Sequence, residues 1–217
     1  PALTYVERVT AGAATHARLP TIVAIHGLGD QPENFVTLFE AFPIPVRIVA
    51  PRAPTPWGDG FAWMTSRVRD GDEVTLAREI DASTARLVAL LEVIVAREDV
   101  AGPVLLTGFS QGGILTYAIT LARPDLVRAA FPIGGLLPSG RLTTLPSAQT
   151  GSPRIIAFHG DRDTIVPYAR DVALVEALRT RGFDVTLETS EGVGHVIPER
   201  MQAGLYDALA RALTPSR

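Results

Sequence analysis

The 217-residue sequence predicts an α/β fold, in which helices cover both faces of a mostly parallel central sheet. Short apolar runs alternate with amphipathic stretches of helical period from Pro20 to the C-terminus. Several of these runs end in glycine-containing turns, as buried parallel strands do where they lead into a helix. We found no internal repeat, linker or low-complexity tract, so residues 1–217 are expected to form a single domain.

In the first third of the chain, strands are predicted where apolar residues alternate or run together. A loosely alternating run predicts an edge strand and two continuous runs predict buried strands, at residues 3–9, 20–25 and 46–50. A helix is predicted over 32–42 from its apolar stripe and a proline near its first turn. Residues 51–72 hold both tryptophans, three prolines and three glycines. A long loop of this kind inside a compact domain is usually functional.

The rest of the chain alternates regularly between helical stripes and apolar runs. Helices are predicted over residues 73–98, 114–121, 168–181 and 198–213. Strands are predicted over residues 104–109, 127–133, 154–158 and 185–189. The segment 136–153 is polar and turn-rich and is expected to be a surface excursion. Regular alternation of this kind favours a mostly parallel sheet.

Composition excludes several classes of function. The net charge of −3 provides no basic surface for nucleic acid or an anionic membrane. The chain has no cysteine and no lysine, which excludes a cysteine nucleophile, a disulfide, a cysteine-ligated metal and a lysine Schiff base. No apolar run reaches the ~18 residues of a membrane span, so no stable membrane insertion is expected. A cytoplasmic location is expected; because the chain opens at Pro1, a trimmed leader and secretion stay open.

The residues Gly108-Phe109-Ser110-Gln111-Gly112 form a G-x-S-x-G pattern between a predicted buried strand and a predicted helix. In this setting the serine lies in a strained turn that lifts its hydroxyl above the sheet. The two glycines then allow neighbouring backbone to approach closely. The pattern therefore predicts Ser110 as a nucleophile. The alternative is a strand–turn–helix unit whose serine only caps the helix.

Three residues with catalytic side chains follow predicted strands. Ser110, Asp163 and His195 should converge at the edge of the sheet where parallel strands end. The order serine, acid, histidine is that of the α/β-hydrolases. A neutral imidazole must take the serine proton, and a carboxylate must orient that imidazole. Asp161 competes with Asp163 as the acid, but it directly follows Gly160 and is better placed to bond the loop backbone.

The other histidines are given no catalytic role. His16 lies in an early loop, whereas His26 and His159 precede glycines at strand ends and are expected to be structural or to support the site. Clustering of His159, Asp161 and Asp163 raises a metal hydrolase as an alternative. Because no spacing typical of a metal-ligand set accompanies this cluster, neither a metal nor a cofactor is expected.

An oxyanion hole requires two preorganised N–H donors. One belongs to the residue after the nucleophile, Gln111, and the other to the loop after an early strand, where Leu28 stands between two glycines. Four large residues of the 51–72 segment could line an acyl pocket or could equally be core residues: Trp57, Phe61, Trp63 and Met64. If they form the pocket and no lid domain covers it, short or medium acyl chains are expected rather than long ones.

Four motifs resemble those of the phospholipase/carboxylesterase family, which includes the acyl-protein thioesterases and small bacterial carboxylesterases. They are His26-Gly27-Leu28-Gly29-Asp30, Gly108-Phe109-Ser110-Gln111-Gly112-Gly113, His159-Gly160-Asp161-Arg162-Asp163 with Val166-Pro167, and Gly194-His195. They occur in order over nearly the whole chain. The resemblance implies a compact α/β-hydrolase without a separate lid domain, with Ser110, Asp163 and His195 as triad. It also implies Leu28 and Gln111 as the oxyanion donors.

One segment both resembles the family and departs from it. Pro51-Arg52-Ala53-Pro54, followed by Trp63, is similar to the family's loop ahead of the long helix. Met64-Thr65-Ser66 then stands where aromatic and acidic residues are usual in the family. This departure counts against acyl-protein thioesterase specificity.

The sequence therefore predicts a metal-free serine carboxylesterase that hydrolyses short- to medium-chain esters through an acyl-enzyme on Ser110. Activity should rise with pH as His195 loses its proton, near ~6.5 for an ordinary imidazole. Lysophospholipase or acyl-thioesterase activity on the same triad, or a non-catalytic binding protein on this fold, are the alternatives. The expected partner is a small-molecule ester. The chain is expected to be a monomer or a homodimer, with apolar surface on the last helix as a candidate contact.

Overall fold

The computed structural model describes residues 2–214, which contain nine strands. They are β1 (Tyr5–Val9), β2 (Thr21–Ile25), β3 (Arg47–Pro51), β4 (Thr55–Trp57), β5 (Gly60–Ala62), β6 (Val104–Phe109), β7 (Val127–Ile133), β8 (Arg154–Gly160) and β9 (Val185–Ser190). Seven form the central sheet in the order β1-β3-β2-β6-β7-β8-β9. β1 lies antiparallel at one edge and the other neighbours are parallel. The predicted mostly parallel sheet with an N-terminal edge strand is confirmed.

Helices cover both faces of this sheet. Those of the described residues are α1 (Pro32–Phe35), α2 (Glu73–Val95), α3 (Gln111–Ala122), α4 (Tyr168–Thr180) and α5 (Glu199–Leu213), with 3-10 helices at Val36–Phe39, Val68–Asp70, Pro124–Leu126 and Ser139–Thr144. Alternate residues of β2 enter two separate cores, as the period of a strand requires. Val23 and Ile25 pack with residues of α2, α3 and α4. Ile22 and Ala24 pack with residues of α1 and α5 on the opposite face.

The helix predicted over 32–42 is one α-helical turn followed by a 3-10 helix. Its last residues are connected by i→i+3 bonds, from the Glu40 amide to the Thr37 carbonyl and from the Phe42 amide to the Phe39 carbonyl. Pro43 then closes the segment, because the residue before a proline is driven out of the helical region. The apolar stripe is buried as expected, but in a tighter winding that suits short segments.

The 51–72 segment contains a hairpin of β4 and β5 that the sequence did not predict. Each strand has only three residues, too few for an alternating pattern to be visible. Phe61 of this hairpin accepts a hydrogen bond from the Gly29 amide at 2.9 Å and donates to the Asp30 carbonyl at 3.0 Å. The hairpin therefore holds the loop that follows β2.

Two further expectations about surfaces are corrected in part. The 136–153 excursion is not wholly at the surface, because Leu136, Leu137 and Leu145 are buried in the core shared with α2. The apolar stripe of α5 is also largely buried, through Met201 and Leu205 among others, so this stripe is not the exposed surface that the sequence suggested as a dimer contact. In both segments most residues are polar and dominate the sequence pattern, whereas a few apolar side chains pack into the core. No helix of the described residues is long and apolar enough to cross a bilayer.

Candidate active site

Ser110 lies in the turn between β6 and α3 with an uncommon backbone conformation, φ +57° and ψ −115°. Apart from glycines, the only other described residue with a positive φ is Ala11. Gly112 makes the turn possible, because a Cβ there would lie 1.9 Å from the carbonyl oxygen of Ile25 in β2. Strain of this kind persists only where the surrounding structure enforces it. Packing against β2 holds Ser110 in the turn at the carboxyl edge of the sheet.

His195 connects Ser110 to Asp163. Its Nε2 lies 2.8 Å from Ser110 Oγ, and its Nδ1 lies 2.6 Å from Asp163 Oδ2. The ring stacks on Phe109, with centroids 4.7 Å apart and an interplanar angle of 30°. A carboxylate beside Nδ1 assigns the proton of the neutral ring to Nδ1 and leaves Nε2 to accept the serine proton.

Asp163 is buried and surrounded by donors. Its Oδ1 accepts hydrogen bonds from the amides of Ile165 and Val166, each at 2.9 Å, and its Oδ2 also lies 3.2 Å from His159 Nε2. Burial raises the pKa of Asp163, but hydrogen bonds from His159, His195 and the backbone outweigh burial and hold that pKa well below its usual range. Asp163 is therefore ionised at neutral pH.

Asp161, the competing carboxylate, has a different partner. It is exposed, and its Oδ1 accepts a hydrogen bond from the Gly192 amide at 2.7 Å. This bond stabilises the loop that carries His195. Gly160 allows the two loops to approach, because a Cβ there would lie 2.3 Å from the carbonyl oxygen of Val193. The structure thus brings Asp163, and not Asp161, to His195.

The backbone amides of Leu28 and Gln111 have no hydrogen-bond acceptor among residues 2–214. Both residues line the same cavity as Ser110. Gln111 is the first residue of α3, where helix N–H groups are free and the helix dipole is positive. The bond from Gly29 to Phe61 fixes the loop on the other side. Two free amides that line the same cavity as the Ser110 side chain have the composition of an oxyanion hole.

The side chain of Gln111 has a role that the sequence analysis missed. Its Oε1 accepts from the amides of Trp63 and Met64 at 2.9 and 3.3 Å, and its Nε2 donates to the Met64 carbonyl at 2.7 Å. Trp63 is buried, and its Nε1 donates to the His26 carbonyl at 3.0 Å. Gln111 and Trp63 therefore attach the loop of residues 51–72 to the core. Partners 47 and 48 residues away leave no local signal in the sequence.

A cavity of about 340 Å³ opens beside Ser110. Of the four residues considered for an acyl pocket, Trp57 and Met64 line it, whereas Phe61 and Trp63 are not part of its lining. Phe61 instead packs under the Arg52 guanidinium, 4.7 Å from the ring centre. The wall of the cavity is mainly apolar and includes Trp57, Met64, Val68, Leu76, Ile114 and Ile165.

Two arginines, Arg67 and Arg69, add positive charge to the lining of this cavity. Arg67 is partly compensated by Asp70 at 3.3 Å. The sequence analysis did not select these arginines. They stand in the same long loop, but two charged residues in a polar stretch are typical of a solvated surface.

The remaining histidines have fixed partners or none. His16 is exposed. His26 is buried, with Nδ1 2.7 Å from the Gly27 carbonyl oxygen and Nε2 accepting from the Ala53 amide at 3.2 Å. Burial lowers the pKa of His26, so the ring is neutral and structural. His159 is buried directly behind Asp163.

The suspected metal cluster is not arranged as one. Within residues 2–214, no three or more histidine or acidic side chains are arranged to hold a metal ion. His159 contacts Asp171 and Asp163, whereas Asp161 bonds the Gly192 amide. Each of the three side chains of this cluster is thus engaged in at least one hydrogen bond within the protein.

The fold and the site define a serine hydrolase of the α/β-hydrolase superfamily. More narrowly, a family model described as phospholipase/carboxylesterase matches residues 6–212, and the chain belongs to this family. The resemblance inferred from the four motifs is confirmed.

Individual relatives agree with this assignment. Esterase YpfH of Escherichia coli (strain K12) is 34% identical over 109 residues, which are 50% of this chain and 45% of that protein. Acyl-protein thioesterase 1 of Gibberella zeae is 26% identical over 201 residues, 83% of this chain and 86% of the relative. The crystal structure of esterase PE8 has the same fold, with a TM-score of 0.86 and 23% identity over 98% of this chain and 100% of that one.

Proposed function

We propose that this protein is a carboxylesterase that hydrolyses short- to medium-chain esters with Ser110, His195 and Asp163 as its catalytic triad. The observation that carries the proposal is the continuous line of contacts from Ser110 Oγ through His195 to Asp163, at 2.8 and 2.6 Å. Serine alone is a poor nucleophile, and this arrangement supplies the base and the group that orients it.

In the first half of the reaction, His195 Nε2 takes the Ser110 proton while Oγ attacks the ester carbonyl carbon. The amides of Leu28 and Gln111 then donate to the oxygen that becomes negative. Protonated His195, stabilised by ionised Asp163, gives its proton to the departing alcohol as the C–O bond breaks. The acyl group stays on Ser110, and water repeats the sequence to release the acid.

Acyl length follows from the cavity beside Ser110. Its volume of about 340 Å³ lies at the lower end of ligand pockets, which span ~300–1,000 Å³. Trp57 and Met64 contribute to its apolar wall, as an aliphatic acyl group requires. These features favour short and medium acyl chains over long ones.

Thioester hydrolysis is the second candidate function. It is favoured by the similarity to a relative named acyl-protein thioesterase, which spans 83% of this chain. Met64-Thr65-Ser66, which stand where aromatic and acidic residues are usual in the family, count against thioester hydrolysis. Met64 and Ser66 line the cavity, and the Thr65 hydroxyl and the Ser66 amide donate to Glu79. These three residues therefore present neither an aromatic ring nor a carboxylate of their own to a ligand.

The test is hydrolysis of p-nitrophenyl esters with acyl chains from two to sixteen carbons, for the wild type and Ser110→Ala. Loss of the nucleophile should lower turnover by about 10⁴- to 10⁶-fold. Ser147→Ala, an exposed serine, is the matched control and should retain wild-type rates. Equal, slow rates for the wild type and Ser110→Ala on every ester would overturn the proposal and favour a binding protein.

The same panel measures the substrate preference. We expect the highest kcat/KM at a short or medium acyl chain, and an optimum at the longest chains would contradict the pocket argument. Matched oxygen esters and thioesters of that chain then separate carboxylesterase from thioesterase activity. A kcat/KM that is at least tenfold higher for the thioester would make the second candidate the better description.

A further inference from the structure

Behind Asp163, a second line of buried hydrogen bonds runs away from the substrate cavity. His159 Nδ1 lies 2.7 Å from Asp171 Oδ2, and the Tyr117 hydroxyl donates to Asp171 Oδ1 at 2.7 Å. The three side chains come from β8, α4 and α3 and are each no more than 1% exposed. On its other side His159 reaches Asp163 Oδ2, which also binds His195.

The contacts of the His159 ring determine where its protons are. Nε2 faces two acceptors, Asp163 Oδ2 at 3.2 Å and the Val166 carbonyl oxygen at 2.9 Å, so Nε2 must carry a proton. Nδ1 faces the Asp171 carboxylate. If the His159 ring were neutral, the lone pair of Nδ1 would face a lone pair of Asp171 Oδ2, unless Asp171 were protonated. An imidazolium satisfies every contact on both sides.

Electrostatics supports the same assignment. Burial lowers the pKa of His159, but hydrogen bonds to Asp163 and Asp171 outweigh burial and raise that pKa to about 9. Burial raises the pKa of Asp171, and His159 opposes that rise. The raised pKa of His159 means that the pair still holds its proton at neutral pH, and the hydrogen bond from His159 favours the ionised form of Asp171.

We propose that Asp171 and His159 are positioning residues of the triad: Asp171 keeps His159 protonated, and this imidazolium holds Asp163 in place through Oδ2, the carboxylate oxygen that also contacts His195. The inference rests on the proposed function, because it assigns a role through Asp163. Sequence analysis had given His159 only a structural or supporting role, and Asp171 lies inside a helix, eight residues beyond Asp163.

The positive charge has a consequence for the base. During the reaction His195 becomes positive while His159, which contacts the same oxygen of Asp163, is already positive. The two imidazoliums repel each other, so the charge of His159 acts on the step in which His195 takes the Ser110 proton. The negative charge of the Asp171 carboxylate offsets only part of this repulsion, because Asp171 is more distant from His195 than His159 is.

The titratable groups around His159 are few. From the described residues, Asp163 faces it from the loop after β8, and Asp171 and Tyr168 face it from α4, the Tyr168 ring at 5.7 Å. Beyond these lie His195, through Asp163, and Tyr117, through Asp171. His195 and His159 are therefore the two imidazoles that Asp163 connects.

The decisive variant is Asp171→Asn, which keeps the shape and can donate an amide N–H to Nδ1 while its oxygen still accepts from Tyr117. His159 becomes neutral but still donates from Nε2 to Asp163. We expect the lower midpoint of the kcat/KM profile to move upward by about 0.5–1 pH unit, with KM unchanged. Tyr117→Phe is the matched control: it removes a hydrogen bond but keeps both charges, and its midpoint should stay with the wild type.

A measurement on the wild-type protein avoids any question of folding. Nitrogen-15 NMR of histidine-labelled protein should show both ring nitrogens of His159 protonated at pH 7 and deprotonation only near pH 9. A neutral His159 at pH 7, with Nδ1 bare, would overturn the proposal, as would an Asp171→Asn profile with an unmoved midpoint. If Ser110→Ala retains full activity, the proposed function fails instead, whatever the NMR result.

Discussion

Two histidines, His26 and His159, occupy equivalent positions, but the first ring is neutral and the second carries a positive charge. His26-Gly27 follows β2 and His159-Gly160 ends β8, so both rings are buried at the carboxyl edge of the sheet. His26 lies between a backbone carbonyl and a backbone N–H, and burial lowers its pKa. His159 contacts two carboxylates, which overcome burial and raise its pKa to about 9.

The difference shows that burial alone does not determine the charge of a histidine. Both rings lose solvent, which disfavours the imidazolium. Only His159 gains carboxylates that replace the lost solvation, and one of them, Asp163, also binds His195. His26 therefore holds two loops together, whereas His159 contributes charge to the site. Four sets of measurements test this difference between the surroundings of His26 and His159.

The largest effect should come from Asp163→Asn, which removes the carboxylate that connects His159 to His195. An amide cannot stabilise the His195 imidazolium and favours the wrong tautomer, so kcat should fall about 10⁴-fold. His26→Gln, which can still donate and accept at a buried ring position, should keep kcat within about tenfold of the wild type. Steady-state ester hydrolysis measures both. An Asp163→Asn enzyme with more than a tenth of the wild-type kcat would show that Asp163 is not the triad acid.

The glycines beside the two histidines should differ in stability. A Cβ at Gly160 would lie 2.3 Å from the Val193 carbonyl oxygen, whereas one at Gly27 would lie 3.3 Å from that of Phe109. We expect Gly160→Ala to lower the free energy of unfolding by about 2–4 kcal/mol and Gly27→Ala by less than about 1.5 kcal/mol. Urea unfolding measures both, and equal losses would contradict the packing that separates the two loops.

The two histidines should affect the pH dependence of stability on opposite sides of neutrality. For His26 the folded pKa is lowered, so the unfolded chain binds the proton better and stability falls as pH drops through about 6.5. For His159 the folded pKa is raised, so its contribution is complete below about 6.5 and is lost as pH rises through about 9. Each proton contributes a slope of at most about 1.4 kcal/mol per pH unit.

Unfolding free energies measured from about pH 5 to about pH 10 test these signs. Asp171→Asn should flatten the alkaline fall, and His26→Gln should flatten part of the acidic fall. If Asp171→Asn leaves the alkaline fall unchanged, His159 does not hold the proton assigned to it.

The smallest effect is expected from Asp161→Asn. Its amide oxygen can still accept from the Gly192 amide, and the side chain is exposed. We expect kcat to change by less than about threefold, because an exposed neutral acceptor replaces an exposed charged one. The same hydrolysis assay applies. A loss approaching that of Asp163→Asn would reverse the assignment of the two carboxylates.

Much of the candidate site could be predicted because its signals are local. Ser110 stands in a glycine-flanked turn, and Leu28 lies between two glycines after an apolar run. The pocket was only partly predictable: Trp57 and Met64 line it, but Trp63 is turned into the core and bonded to the His26 carbonyl. Periodicity cannot tell these outcomes apart in an irregular loop, because each side chain is directed by contacts that are distant in sequence.

By itself, the sequence determined the α/β architecture, the family and the serine hydrolase class. These follow from short-range patterns, since apolar period, strained glycine turns and motif order are all written within a few residues. Only the tertiary structure decided which neighbour each buried polar group has. Asp171 is unremarkable inside its helix until α4 packs beside β8 and places it 2.7 Å from His159. Charge in a protein interior depends on distances of a few ångströms between elements, which the fold alone creates.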